Sequence, residues 1–141
     1  MSKTQRIGTI LVRVVVALML MIHGVTRIRF GLVDELGVFL GDYGIIFPQV
    51  VAWLITALEI AGGGLLAGGY FVVWLSGLFA LELAVGIALV HYEHGWFVVG
   101  EGRNGMEYSI VLIASLGAIV LLHDSQETRR ALRLVRRKPA D

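Results

Sequence analysis

PQVVAWLITALEIAGGGLLAGGYFVVWLSGLFALELAVGIALVH, running from Pro48 to His91, carries two carboxylates (Glu59 and Glu82) and no lysine or arginine. A membrane-spanning helix needs about 20 mostly apolar residues, and this stretch holds two such lengths. They meet at Gly68–Gly69, a pair that marks a tight turn. Pro48 suits a first helical position, where no backbone donor is lost. The stretch is therefore read as two spans, over 48–68 and 70–91. Working outward, an apolar run over about 7–25 precedes it and another over about 106–122 follows it. The prediction is an all-α polytopic membrane protein, an antiparallel four-transmembrane-helix bundle.

Composition supports this. Hydrophobic residues make up 57% of the 141, charged residues 16%, and mean hydropathy is +0.79, whereas a soluble domain carries about 25% charge. The expected organisation is a membrane domain over 1–125 and a basic cytoplasmic tail over 126–141. The chain has no cysteine, which excludes disulfides, thiolate metal sites and iron–sulfur ligation by its own side chains. The first apolar run resembles a signal peptide in its basic start, Lys3 and Arg6. No small-residue cleavage site follows it, so it reads as a retained helix.

Charge sets the orientation. Lys3 and Arg6 flank the first span, and six basic residues against one acid lie between Glu127 and Lys138. By the positive-inside rule both termini face the cytoplasm of a bacterial inner membrane and the two long loops lie outside. Trp53, Trp74 and Trp96 fall near the expected interfaces. In the first outer loop Leu32, Val33, Leu36, Leu40 and Tyr43 recur at helical spacing opposite Asp34 and Glu35. That pattern predicts a short amphipathic helix at the membrane surface. The lipid bilayer is the expected partner, with anionic lipid at the basic tail, and nothing in the pattern points to nucleic acid. A homo-oligomer stays open.

Lipid tails compete for apolar surface, so close packing of small residues holds such helices together. Those residues are Ala17 and Gly24 on the first span, and Ala52, Thr56 and Gly63 on the second. The third carries Gly77, Ala80, Ala84 and Ala88, the fourth Ala114 and Ala118. Gly64 and Gly68 form a second small-residue row on the back of the second span. Intramembrane ionisable groups need partners or a task. Depth counting at about 1.5 Å per residue pairs Arg13 with Glu59 as a structural ion pair. It also brings His23, His91 and Glu107 to one level below the outer surface, beside Trp96 and Tyr108. This is the candidate ligand pocket, which reads equally as a satisfied polar plug. No metal site is assigned, and haem is disfavoured because the histidines are lone and lack a fixed-spacing motif. Glu82 points away from this centre, and the sequence does not fix its role.

Three motifs in order then carry a resemblance: RVVVALMLMIHGVTR with Arg13, His23, Gly24 and Arg27; ALEIAGGGLLAGG with Glu59; and ALVHYEHGWFVVGEGRNGMEYSIVLI with His91, Gly95, Trp96, Phe97, Glu107 and Tyr108. Together they resemble the DoxX family, in the wider group that includes DoxD, from about Arg13 to Leu122. The departures are Arg27 where lysine is common, Glu82 in an apolar position, and the ending HDSQETRR. The resemblance implies a four-helix inner-membrane protein. Some relatives are membrane subunits of redox complexes that pass electrons to quinone. The expected function is accordingly a redox-associated membrane subunit that binds quinone or docks a soluble oxidoreductase, with no covalently bound cofactor and no self-sufficient redox activity. The residues leave two alternatives open: a small proton-coupled transporter and a structural membrane scaffold.

Overall fold

The computed structural model describes residues 2–99 and 104–136, with side chains as far as 123. The expected tail side chains and the loop residues 100–103 lie outside that description. Among the described residues all regular structure is helical: α1 (Lys3–Arg29), α2 (Val33–Asp42), α3 (Pro48–Ala57), a π turn (Leu58–Gly62), α4 (Gly63–Gly68), α5 (Val72–Gly86), a second π turn (Ile87–His91), a 3-10 turn (Tyr92–His94) and α6 (Glu107–Arg136). Lys3–Arg29, Pro48–Gly68 and Val72–His94 are long and apolar enough to cross a membrane, and Glu107–His123 is a shorter apolar helix. The chain is a multi-pass membrane protein.

The chain divides into two compact units, Val14–Phe71 and Met1–Arg13 with Val72–Asp141, so that α1 contributes to both. In the first unit α1 continues past the expected end at Val25. It stops where Gly31 takes φ +70. There Leu32 N–H donates to the Arg27 carbonyl at 2.9 Å and Gly31 N–H to the Ile28 carbonyl at 3.1 Å. This is a glycine-dependent helix stop, and it puts Arg27 on the helix rather than in the loop. Gly69 (φ +86) ends α4 in the same way.

α2 packs on the start of α3. Val33, Leu40 and Ala52 are buried, with Leu36, Phe39, Val51 and Ile55 around them. The Gln49 amide lies over Gly37, where any Cβ would collide with it, and donates to Asp34 Oδ1. The expected small-residue faces of the first two spans are the buried ones, since Ala17, Gly24, Ala52, Thr56 and Gly63 are all inaccessible. Cβ atoms at Gly24 and Gly63 would meet Thr56 O at 3.0 Å and Ala17 O at 3.2 Å, so α1 passes within backbone distance of α3 and α4. On the back row, a Cβ at Gly64 would meet nothing within 4 Å, so no neighbour grips that side there.

The second unit overturns the face expected for the last two spans. α5 packs along α6, and the buried positions are Val72, Leu75, Ser76 and Phe79 on α5 and Ser109, Leu112, Leu116 and Ile119 on α6. Gly77, Ala84, Ala114 and Ala118 are exposed instead. Large side chains fill the buried faces, and the dispersion contacts of Phe79, Leu112 and Leu116 replace the close backbone approach seen at Gly24. The α5 face is thereby turned toward Glu82, which is partly buried, one turn beyond Phe79. The residue that had no place in the predicted bundle lies on the packed side.

Candidate functional site

Two polar constellations stand out, one in each unit. The first is built on the α1–α3 contact. Helical side chains lean toward the N-terminus of their helix, so Arg27, one turn beyond Gly24, reaches back to where α1 touches Thr56 and Glu59. Its guanidinium engages both oxygens of Glu59: NH1 donates to Oε2 in a very short contact, and NH2 donates to Oε1 at 3.2 Å. NH1 also donates to Thr56 Oγ1 at 3.1 Å. The threonine hydroxyl spends its own hydrogen on the Ala52 carbonyl at 2.8 Å, which turns its lone pairs to the arginine. Glu59 is 4% exposed. The partner of Glu59 is therefore Arg27, where depth counting had assigned Arg13. The predicted helix ended at Val25 and left Arg27 in the loop, and a helix running to Arg29 with a backward-leaning side chain changes the pairing. Glu59 also sits in the π turn Leu58–Gly62. Such turns are rare and recur at functional sites.

Gly24 is what permits this approach. A Cβ there would lie 2.7 Å from Ile60 Cγ1 and 3.1 Å from Glu59 Cβ. Gly24→Val should therefore push α1 away from the pair and destabilise the protein by about 1–3 kcal/mol. Thermal unfolding in detergent measures this, and an unchanged midpoint would mean that α1 does not rest on α3.

The second constellation closes the segment between α5 and α6. Met106 N–H donates to Gly95 O at 3.1 Å, Glu107 N–H to Trp96 O at 3.0 Å, and Gly105 N–H to Phe97 O at 3.1 Å. Residues 95–97 and 105–107 thus pair as a short backbone ribbon. The Glu107 carboxylate accepts from Val98 N–H at 3.0 Å at the first turn of α6, where a negative charge is favoured. His91 Nδ1 lies 2.7 Å from the Asn104 carbonyl oxygen. A carbonyl only accepts, so Nδ1 carries the ring hydrogen. His94 Nδ1 makes the same contact with the Val90 carbonyl, also at 2.7 Å. The Trp96 and Phe97 side chains are exposed, Tyr108 is partly buried near the start of α6, and His23 is exposed on α1.

The structure thus gathers His91, Trp96, Glu107 and Tyr108 in one unit, while His23 belongs to the other. Glu107 had been expected to fix the imidazole tautomer. The carbonyl of Asn104 does so, and Glu107 holds Val98. Asn104, Val98 and Thr56 had no sequence signal, because each acts through the backbone or through a neighbour brought in by folding. Asn104 takes φ +67, a conformation asparagine tolerates better than most residues.

The DoxX family model matches residues 8–92, more than half of the sequence. The chain belongs to the DoxX family. The matched part of this DoxX-family protein includes His23, Gly24, Arg27, Glu59 and His91, and stops before Trp96 and Glu107. The chain is also similar to the protein named "Putative oxidoreductase CatD" of Bacillus subtilis (strain 168), with 33% identity over 90 residues, 64% of this chain and 64% of that protein. The chain therefore spans a little under two thirds of that relative's length. No solved structure matches it.

Proposed function

We propose that this DoxX-family chain is the membrane subunit of a redox system and that it presents His91 to the head of a membrane quinol. The observation that carries the reading is the 2.7 Å contact between His91 Nδ1 and the Asn104 carbonyl. With that nitrogen protonated, Nε2 of the neutral ring is left as an acceptor, the state needed to receive the hydroxyl hydrogen of a quinol. A ring held at one nitrogen by the backbone is also fixed in direction, which is how histidines that work through the other nitrogen are usually supported. Glu107 acts at one remove, by holding Val98 and so the ribbon that bears Asn104. Trp96 and Phe97 supply aromatic surface beside it, with Tyr108 at the start of the adjoining helix. The relative's name, an oxidoreductase, supports a redox role. The chain has no cysteine to hold an iron–sulfur centre, so a partner oxidoreductase takes the electrons.

In this reading the four spans form an antiparallel bundle in the bacterial inner membrane. Both termini are cytoplasmic, α2 rests at the outer surface, and the basic tail lies on anionic lipid. A water-soluble short-chain quinol, titrated against the purified full chain by quenching of tryptophan fluorescence, tests the contact. His91→Gln should weaken binding about tenfold, the worth of one good hydrogen bond, with helicity and thermal midpoint retained. Equal affinity in the two proteins, or loss of binding only together with the fold, would return His91 to a purely structural role.

A further inference from the structure

His91 and His94 flank a single 3-10 turn, Tyr92–His94, with His91 as its N-terminal cap. In 3-10 geometry side chains three residues apart eclipse one another, so these two imidazoles issue from one line on the helix. Their rings are also in one state. Each has its Nδ1 on a main-chain carbonyl oxygen at 2.7 Å, Asn104 for His91 and Val90 for His94. Each therefore carries its hydrogen on Nδ1 and its lone pair on Nε2. The contact to Val90, four residues back, tilts the His94 ring over the turn that bears His91. A histidine that ligates a metal through one nitrogen commonly donates the other N–H to a carbonyl or carboxylate, which fixes the tautomer and raises basicity. Here both members of an eclipsed pair show that arrangement, and His94 is exposed to solvent.

We infer that His91 and His94 form a two-imidazole site for a late divalent transition-metal ion, Cu2+ before Zn2+. Imidazole nitrogen suits both, and copper stands highest in the affinity order for such ligands. Among the described residues no group of three or more His, Cys, Asp or Glu is placed to hold an ion, so water or a bound molecule completes the coordination. The site goes beyond the quinol reading and does not rest on it, yet it uses the same Nε2 of His91. A bound ion and a quinol hydroxyl therefore exclude one another there, and the metal acts as an inhibitor of the quinol contact.

The test uses the purified full chain in detergent with Cu2+ alone and no quinone present, so that the outcome is independent of the quinol reading. Calorimetric titration should give one ion per chain, and electron paramagnetic resonance should show two nitrogen donors in the copper plane. His94→Gln is the decisive variant, because the only hydrogen bond of its ring runs to its own helix and its loss leaves the Asn104 contact in place. It should weaken binding about tenfold or more, and His91→Gln should do the same. Binding that persists unchanged in His94→Gln or in the double variant, a one-nitrogen spectrum, or no binding at all would each overturn the site. If the site exists, Zn2+ should also displace the short-chain quinol from the wild-type protein and not from His94→Gln. Quinol binding indifferent to saturating Zn2+ would overturn the shared use of His91.

Discussion

Glu59→Gln is expected to lower stability by about 3–5 kcal/mol, enough to deplete the protein from the membrane, because it leaves the Arg27 guanidinium buried without its counter-charge. Arg27→Met should do the same from the other side, stranding a carboxylate that is 4% exposed. The double variant Arg27→Met with Glu59→Leu should recover part of the loss, since two apolar side chains need no compensation in that environment. Thr56→Val should cost less, about 1–2 kcal/mol, because it removes one of three contacts to the guanidinium and leaves the charges paired. Membrane abundance together with thermal unfolding in detergent measures the series. The pairing is wrong if Glu59→Gln accumulates like wild type, or if the double variant is no better than either single one.

Gly105→Ala should be nearly as damaging, for a different reason. A Cβ at that position would lie 2.4 Å from Phe97 O and 2.5 Å from both Trp96 C and Trp96 O. These are backbone atoms and cannot swing aside as a side chain would. The ribbon must open, giving up the bonds from Gly105, Met106 and Glu107 to residues 95–97 and releasing Asn104 from His91. The expected cost is about 3 kcal/mol, from the overpacking and the lost hydrogen bonds together. The amides of Met106 and Glu107, slow to exchange in the wild type, should become fast. Retained protection at both would show that the loop is not closed in this way.

Much of this could be read from the sequence where hydropathy alone decides. The second span is Pro48–Gly68 in both readings, because a polar-free run bounded by proline and a glycine pair leaves little choice. The contact between the first two spans was legible at Gly24, Ala52, Thr56 and Gly63, since small residues at helical spacing are informative where backbones touch. The same rule failed on α5. VVWLSGLFALELAVG is apolar on every side, so periodicity selects no face, and the small residues Gly77 and Ala84 were taken for a seam that Phe79 in fact occupies. The Arg27–Glu59 pair was missed by a single helical turn. Hydropathy ends the first helix at Val25, but Gly31 was in view and, as a helix-stop residue, would have carried the helix through Arg27. The carbonyl partners of His91 and His94 left no trace in the sequence, because any residue type presents a carbonyl.

The π turn around Glu59 has a consequence for how this chain tolerates change in length. Relative to an uninterrupted α-helix it accommodates one surplus residue, and removing any one of the five positions Leu58–Gly62 would let the ladder close as ordinary α-helix. Everything beyond it would then rotate by about 100° and shift by about 1.5 Å relative to α3. Gly63 and Leu66 would leave the side that now faces inward, and Gly64 or Leu65 would take their places. A one-residue deletion here is thus a change of phase, a larger disturbance than most substitutions at the same positions, whereas the same deletion in the loop after Asp42 would leave both helices in register with their neighbours.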